Sequence, residues 1–268
     1  MSTILVTNDD GHDAPGIAAL ADALRPLGRV LVVAPDRDMS AVSHALTLTR
    51  PLRVRRHADD LYSVDGTPTD CVNIGVFNLL EKKLDLVVSG INNGYNLGDD
   101  ITYSGTVSAA FEGTLLGFPS IAVSRANPAR GGYHAGNWPH DPRETYEAAA
   151  AFAATLARKV LERGMPPDTL LNVNVPVPPL GGVRCTRLGK RIYYEGVVER
   201  IDPAGRQYYW IGGHPARWSD DERSDHDAVT RGCVSVTPLH LDLTHDRQME
   251  TIASWGLELP QGSAAERK

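Results

Sequence analysis

Short apolar runs alternate with helix-spaced apolar positions along the first two thirds of the chain. The runs lie at residues 4–6, 30–34, 84–89, 120–124 and 170–175. Bulky runs of this length are typical of strands covered on both faces of a parallel sheet. Between them, apolar positions three or four residues apart predict helices, as in the stripe that Gly28 closes. This alternation predicts an α/β fold with a doubly wound, mainly parallel sheet.

Local signals add detail to this alternation. Residues 52–56 and 61–64 predict an antiparallel ribbon around a short polar turn. The turn that follows predicts a helix capped by Thr67 or Thr69. A segment rich in Gly, Pro, His and Asn at residues 126–142 predicts a loop, and the next helix ends before Gly164 and Pro166.

The pattern changes after residue 180. We therefore divide the chain into a Rossmann-like catalytic core, residues 1–180, and a β-rich C-terminal extension, residues 181–268, within a single domain overall. The extension's predicted elements are β-like segments at 192–198, 208–211 and 234–237, and a helix near 249–255. An extension of this kind packs on a partner subunit or folds back on its own domain, and the pattern leaves both open.

The composition narrows the classes of function. A formal net charge of -6 argues against a general nucleic-acid surface. The three cysteines are widely separated, so neither a disulfide framework nor a structural zinc site is indicated. No secretory signal is recognisable, and no run approaches the ~20 apolar residues of a membrane helix. We expect a cytoplasmic protein with no membrane partner.

Asp9 and Asp10 follow the first apolar run directly. Ligands of α/β sheets gather beyond the carboxyl ends of the strands, where these two side chains would lie. Neighbouring carboxylates repel each other and are tolerated best beside a divalent cation such as Mg²⁺ or Mn²⁺. The alternative is that Asn8, Asp9 and Asp10 only form a turn or cap a helix.

Three other polar loops carry candidate ligands. The loop after the second run contains Ser40, Ser43 and His44, whose alternative role is ordinary turn chemistry. Amide side chains follow the third run and offer neutral oxygens for a hard cation. Residues 104–106 begin a helix with hydroxyl groups and a glycine, as an anion site would, although Ser104 could serve only as a cap. The spacing does not match an ATP-binding phosphate loop.

Seven sequence segments are characteristic in combination: TNDDG at 7–11, APDRDMSAVSHALTLT at 34–49, GTPTDCV at 66–72, SGINNGYNLGDDITYSGTVSAA at 89–110, NVNVP at 172–176, YYWIGG at 208–213 and AVTRGCVSVTPLHLDLT at 228–244. Together they resemble the SurE family of metal-dependent nucleotide phosphatases. The similarity extends along nearly the whole chain, and its long central block is highly specific.

The resemblance implies a set of site residues. One divalent metal ion, Mg²⁺ or Mn²⁺, is expected on Asp9, Asp10, Ser40 and Asn92, and Asp9 or Asp10 is also expected to orient or deprotonate a water. The implied phosphate contacts are Asn96, Ser104, Gly105 and Thr106, with Ser43 and His44 on the facing loop.

This chain departs from the family pattern at two places. Met39 and Ala41 flank Ser40 where the family usually has Arg and Gly, which puts a loop arginine in doubt unless Arg37 substitutes for it. His12 lies one position earlier than the family's histidine, so we expect it to be solvated or packed and not catalytic.

The implied activity is hydrolysis of nucleoside 5′-monophosphates to nucleoside and phosphate. Activity on 3′-monophosphates or polyphosphate stays open, as do the preferred base and metal. The resemblance also suggests a homodimer or homotetramer built through the extension. Two alternatives remain: a phosphatase that forms an aspartyl-phosphate, although such enzymes usually space their carboxylates one residue apart, and a metal-dependent nucleotide-binding module without turnover.

Overall fold

A mixed β-sheet runs through the protein in the computed structural model, which describes residues 1–80, 84–127, 143–192, 197–211 and 217–258. The strands of these residues, in chain order, are β1 (Ser2–Thr7), β2 (Gly28–Pro35), β3 (Val54–Ala58), β4 (Leu61–Val64), β5 (Leu86–Asn93), β6 (Ser120–Arg125), β7 (Thr169–Val175), β8 (Val183–Cys185), β9 (Arg191–Ile192), β10 (Val197–Ile201), β11 (Gln207–Ile211), β12 (Arg217–Trp218) and β13 (Val234–His240). Within the described ranges, nine of these strands form the central sheet, in the order β3-β4-β2-β1-β5-β6-β7-β13-β8.

The middle of the sheet is parallel, from β4 across to β7. The edges carry the antiparallel pairs, β3 with β4 and β13 with β7. Because β1 lies beside both β2 and β5, the strand order reverses at β1. Ligands of open α/β sheets bind outside the carboxyl ends of strands at such a reversal.

Helices cover both faces of the sheet. They are α1 (Pro15–Leu24), α2 (Pro68–Ile74), α3 (Gly105–Leu115), α4 (Glu147–Arg163) and α5 (Asp225–Thr230), whereas α6 (Asp246–Ala253) has no buried residue. Alternate strand residues enter different cores: Ile4 and Val6 pack with α1 and α4, whereas Leu5 packs with α2 and α3. This alternation follows from the two-residue period of a strand, and it confirms the predicted doubly wound α/β fold.

Local sequence explains where several helices begin and end. Thr67 caps α2 in a capping box with Asp70, so the first of the two predicted caps is the one used. Gly164 ends α4 with a φ of +73°, a backbone conformation that glycine adopts without steric cost. The antiparallel ribbon is present as β3 and β4.

Three boundary predictions were wrong. The strand predicted to end at Ser89 is β5, and it continues to Asn93. Its pairing with β6 resumes after a register shift between Gly90 and Asn92. The β-like segment at 192–198 belongs to two strands, β9 and β10, and residues 193–196 lie outside the described residues. The last helix starts at Asp246, three residues before the prediction. The predicted loop lies mostly outside the described residues.

The C-terminal part of the chain contributes to the central sheet and also builds pairs of its own. β13 and β8 extend the sheet beyond β7, while β10 pairs with β11 and β9 pairs with β12 in separate antiparallel ribbons. Most side chains of β10 and β11 are exposed although several are large and apolar. A search of the described residues finds no helix with the length and apolar character that a membrane span requires.

Candidate active site

A tight turn after β1 presents two carboxylates at the sheet edge. The Asn8 amide nitrogen donates to the Gly11 carbonyl at 2.9 Å, and the Gly11 N–H donates to the Asn8 Oδ1 at 3.2 Å. Gly11 has a φ of +106°, which disfavours any residue with a Cβ atom. Asn8 therefore forms the turn, as one sequence interpretation held, and the turn holds Asp9 and Asp10 in place between β1 and α1.

Asp9 packs against the N-terminal end of α3. Its side chain is nearly buried, with 4% exposure, and its Oδ1 accepts a hydrogen bond from the Thr106 hydroxyl. A Cβ on Gly105 would lie 2.8 Å from the Asp9 Cβ, so only glycine allows this close approach. Burial raises the pKa of the Asp9 carboxyl, and the hydrogen bond from Thr106 opposes that rise. The structure thus joins residues that are 97 positions apart in the chain.

Asp10 faces the end of β5. Its Oδ2 accepts a hydrogen bond from the Asn93 N–H at 3.3 Å, and the Asn93 side-chain oxygen accepts one from Arg125 at 2.8 Å. The neighbouring Asn92 is half-buried, and its amide nitrogen donates to the Gly94 carbonyl at 2.9 Å. That bond orients the Asn92 amide. The turn after β1 and the end of β5, which carry three of the four predicted metal ligands, are therefore in direct contact.

The loop with Ser40 joins the same region through its backbone. The Met39 N–H donates to the Asp9 carbonyl at 2.8 Å, and Ser40 is exposed. Its hydroxyl donates to the Asp38 Oδ1 at 2.6 Å, and its N–H donates to the same oxygen at 2.7 Å. Because the hydroxyl proton points to Asp38, the lone pairs of the Ser40 oxygen face away from that carboxylate and can serve a cation.

Residues 102–104, just before α3, form hydrogen bonds to both segments of the predicted phosphate site, the start of α3 and the facing loop. Ser104 caps α3 by accepting a hydrogen bond from the Val107 N–H at 3.1 Å, as the cap interpretation of this residue expected. The first N–H groups of a helix lack partners within the helix, and here they begin at Gly105 and Thr106. On the facing loop, Ser43 donates its hydroxyl to the Thr102 carbonyl at 2.6 Å and its N–H to the Tyr103 carbonyl at 3.2 Å.

Asn96 and His44 make contacts that fix the surrounding structure. Asn96 is buried: its amide nitrogen donates to the Ser124 hydroxyl at 2.8 Å and its N–H to the Asn174 side chain at 2.8 Å. The His44 Nε2 lies 2.8 Å from the Glu112 Oε2, six residues beyond Thr106 on α3. None of these three bonds links Asn96 or His44 to Asp9 or Thr106.

Two carboxylates at this edge were missed in the sequence. Asp38 adds negative charge near Asp9 and contributes to the raised pKa of Asp9, after burial itself. Its signal was the two-residue spacing to Ser40, which is typical of an Asx turn. Glu112 accepts hydrogen bonds from His44 and Asn73, and the His44 bond holds the pKa of Glu112 below its usual value. A lone glutamate within the helical stripe of α3 was its only signal.

The arrangement fits a hard divalent cation. The predicted donors are carboxylate, hydroxyl and amide oxygens, which Mg²⁺ and Mn²⁺ prefer. Burial and the charge of Asp38 both disfavour an ionised Asp9, so a nearby cation would stabilise the carboxylate. The described residues hold no cluster of three or more His, Cys, Asp and Glu side chains suited to a metal, and the predicted set differs from such a cluster because two of its members are Ser40 and Asn92.

Comparisons with known proteins agree along nearly the whole chain. The family model described as survival protein SurE matches residues 4–195. The 5′-nucleotidase SurE of Geobacter sulfurreducens is 58% identical over 257 residues, which are 95% of this chain and 94% of that protein. The 5′-nucleotidase SurE of Pelobacter propionicus is 54% identical over 94% of this chain and 98% of its own length. The crystal structure of the SurE protein from Aquifex aeolicus has a TM-score of 0.81 and 49% identity, covering 95% of this chain and all of that one.

Proposed function

The chain belongs to the SurE family, and from this premise we propose that it is a metal-dependent 5′-nucleotidase. It hydrolyses nucleoside 5′-monophosphates: water adds to phosphorus, the bond from phosphorus to the 5′-oxygen breaks, and the products are a nucleoside and inorganic phosphate. The relatives named 5′-nucleotidase SurE match nearly the full length of this chain at 58% and 54% identity. This similarity supports the nucleotidase activity.

The contact of Asp9 with the N-terminal end of α3 is the structural observation that supports the proposal. The Asp9 carboxylate is buried against Gly105 and Thr106, at the N-terminal end of α3. A helix N-terminus favours an anion, whereas an adjacent carboxylate repels it. A cation on Asp9 would remove that conflict and make the same place attractive to a phosphate. This arrangement favours a phosphoryl-transfer site over a simple helix cap.

The chain's own residues then have separate tasks. Asp9, Asp10, Ser40 and Asn92 would hold the ion, which when bound lowers the pKa of a coordinated water and neutralises charge on the phosphate. The Gly105 N–H and the Ser104 hydroxyl bind phosphate oxygens, aided by the helix dipole, while Thr106 holds the Asp9 carboxylate beside them. Asp10, less buried than Asp9, is the better candidate to orient the attacking water. Asn96, Ser43 and His44 complete the proposed substrate contacts.

The direct test measures inorganic phosphate released from AMP and GMP by the purified protein. We expect turnover with Mn²⁺ or Mg²⁺, its loss after treatment with a chelator, and its recovery when the metal is returned. Equal rates with and without the chelator would contradict the metal dependence. Absence of phosphate release under every metal condition, with nucleotide still bound, would favour the alternative of a binding module without turnover.

A second alternative, an aspartyl-phosphate intermediate, needs a different experiment. If a carboxylate attacked phosphorus, labelled phosphate from the substrate would stay on the protein after acid quenching. We expect no such label, because Asp9 is buried against α3 and directed at Thr106. Label that disappears in an Asp10→Asn variant would revive this alternative.

Substrate range is a finer part of the proposal. We propose that the same site also accepts 3′-monophosphates and the ends of polyphosphate, since each carries the terminal phosphoryl group that the proposed contacts address. A substrate panel run with several divalent ions measures kcat/KM for each class. Hydrolysis of 5′-monophosphates alone would contradict this wider substrate range.

We also propose how the chain assembles and where it acts. Residues 1–180 form the catalytic core, and residues 181–268 mediate assembly into a homodimer or homotetramer, in the cytoplasm. Support comes from exposed apolar side chains on β10 and β11, including Trp210 and Ile211 at 64% and 92% exposure. Light scattering of the purified protein measures the assembly, and a monomer at all concentrations would contradict it. Cell fractionation tests the location.

A further inference from the structure

We propose that Asp225, on the C-terminal extension, is a positioning residue for the phosphate-binding end of α3. Its carboxylate holds the start of the helical turn Gly98–Tyr103, which leads directly into Ser104. Asp225 contacts none of the proposed ligands itself and acts through this turn. The inference rests on the proposed function, because it assigns a task within that same site.

The Asp225 carboxylate is fully buried and joins three segments. Its Oδ2 accepts a hydrogen bond from the Gly98 N–H at 2.8 Å, and its Oδ1 accepts bonds from the N–H groups of Gly189 and His226, each at 2.8 Å. Burial raises the pKa of Asp225, and the three N–H donors oppose that rise. Because its donors among the described residues are backbone N–H groups, this buried carboxylate fixes the course of the chain.

The extension also forms a close-fitting seat for Gly98. This residue has a φ of +52°, and a Cβ there would lie 2.4 Å from the Gly189 carbonyl oxygen and 2.6 Å from the Trp218 ring. Trp218 stacks on His226, with 4.5 Å between the ring centroids. The chain at residue 98 is therefore held by shape as well as by the hydrogen bond to Asp225.

Two residues of the extension, Lys190 and Arg191, also bind the same helical turn. The Arg191 guanidinium donates to both oxygens of Asp100, at 2.7 and 2.6 Å, and both side chains are largely buried. Asp99 accepts hydrogen bonds from the Lys190 ammonium and the Arg191 N–H, each at 3.2 Å. Both bonds to Asp100 come from the Arg191 Nη1, and an ion pair of such low exposure orients its partners more firmly than a surface pair does.

The helical turn Gly98–Tyr103 contacts both segments of the proposed phosphate site, the facing loop and the N-terminal end of α3. Its carbonyls at Thr102 and Tyr103 hold Ser43 on the facing loop, and Ser104 follows as the cap of α3. Two residues later, Thr106 binds Asp9. A shift of the turn would therefore displace the facing loop and the N-terminal end of α3 together, and a displacement of about 1 Å is enough to weaken a preorganised site strongly.

The test replaces Asp225 with asparagine, which keeps the volume but offers only one acceptor oxygen. That oxygen can serve Gly189 and His226 or Gly98, so one side of the clamp is lost. We expect at least a tenfold rise in KM for AMP and in the inhibition constant of inorganic phosphate. Asp227→Asn is the matched control, because Asp227 lies on the same helix and pairs only with Arg184 and Arg231 among the contacts described. Its constants should stay within twofold of those of the unmodified protein.

A second readout reports the turn itself. Hydrogen exchange of the backbone amides at residues 98–106 should be faster in Asp225→Asn than in the unmodified protein, and unchanged in Asp227→Asn. A purely structural role would lower the melting temperature without a selective effect on KM and on these amides. Unchanged KM, inhibition constant and exchange in a folded Asp225→Asn would overturn the proposal.

Arg191→Gln keeps the inference testable if Asp225→Asn does not fold. It releases Asp100 from the other side of the turn, and we expect a smaller rise in KM, three- to tenfold, in the same direction. An unaltered KM in this variant would overturn the proposal in that case. If the unmodified protein does not hydrolyse AMP, the proposed function fails instead, and exchange at 98–106 still shows whether Asp225 holds the turn.

Discussion

The edge of the sheet at Asp9 and the ribbon of β10 and β11 violate the usual burial pattern in opposite ways. At the sheet edge, a carboxylate is buried to 4% exposure against α3. On the ribbon, the large apolar side chains of Trp210 and Ile211 are 64% and 92% exposed. Both arrangements cost free energy in the isolated chain, since burial disfavours the charge and water disfavours the apolar surface.

The comparison indicates that each region is built for something other than its own stability. A buried carboxylate gains from a cation, and an exposed apolar ribbon gains from a second protein surface. The two regions therefore make different kinds of prediction. Changes at the sheet edge should reduce catalysis and spare the fold, and changes on the ribbon should alter assembly and spare catalysis.

The largest effect is expected for Asp9→Asn. The amide keeps the shape of the carboxylate and an oxygen that can accept from Thr106, but it removes the charge that a cation needs. We expect kcat for AMP to fall by about 10³-fold, on the order of 4 kcal/mol of lost transition-state stabilisation. The melting temperature should equal or exceed that of the unmodified protein, because a desolvated charge is gone.

Asp13→Asn provides the matched control for this prediction. Asp13 is an exposed carboxylate in the same loop, four residues after Asp9. Its replacement should leave kcat within twofold. Phosphate release by Asp9→Asn at the unmodified rate, with metal supplied, would end the assignment of Asp9 as a ligand.

Thr106→Val is expected to have the next largest effect. Valine has the shape of threonine but no hydroxyl, so the buried Asp9 oxygen loses its donor. We expect kcat/KM to fall by roughly 10- to 100-fold, about 1.4 to 2.8 kcal/mol. Thr114→Val is the control, since Thr114 is buried on the same helix and its hydroxyl donates to the Ala110 carbonyl of that helix. Equal kcat/KM in the two variants would show that the contact with Asp9 is dispensable.

A double replacement, Trp210→Ser with Ile211→Ser, tests the other region. These residues pair with Val198 and Val197 across the ribbon, so their removal leaves the backbone ladder in place. Buried aromatic anchors at interfaces contribute about 2 kcal/mol or more, which corresponds to roughly 30-fold in the dissociation constant. Light scattering over a dilution series should show smaller species, with kcat unchanged.

Phe77→Ser is the control for the ribbon, because Phe77 is 67% exposed on the turn after α2. Its assembly should match that of the unmodified protein. Identical assembly in the ribbon variant and in Phe77→Ser would show that the ribbon does not form the oligomer interface. The exposure of its apolar side chains would then need another explanation.

Much of the fold could be predicted because its signals are local. The runs of β1 and β2 read directly as buried strands, and α1 read as an apolar stripe ended by Gly28. The end of β5 could not be predicted, because Asn92 and Asn93 are polar and only the neighbouring β6 holds them in the ladder. The membership of β13 in the central sheet was equally invisible, since it depends on pairing with β7.

Some residues of the candidate site could likewise be predicted from the sequence, and others could not. The sequence and its resemblance to the SurE family indicated Asp9, and the comparisons confirm that family. The sequence and this resemblance also indicated Gly105 and Thr106 in the same site, but not the direct contact of these residues with Asp9, because that contact depends on the relative placement of β1 and α3. Asp225 was missed for the same reason, because its carboxylate binds backbone groups that only the folded chain brings near. Asp38 was missed although its bonds to Ser40 are local.

The smallest effect is expected for Glu112→Gln, at a buried polar group beside the site. Glu112 accepts hydrogen bonds from His44 and Asn73 at 2.8 and 2.7 Å, and the His44 bond lowers the pKa of the carboxyl below its ordinary 4.5. A carboxyl with a lowered pKa stabilises the fold above the unfolded-state value and loses that contribution as pH falls through the lower folded-state value. We expect the free energy of unfolding at pH 7 to drop by about 1 kcal/mol, the typical worth of one such bond. Denaturant titrations should show this gap constant down to about pH 5 and closing below 4.5. If this difference in free energy of unfolding stays constant at lower pH, the glutamine destabilises the fold through packing and not through the lost charge. The burial of Asp9 and the burial of Glu112 would then need separate explanations.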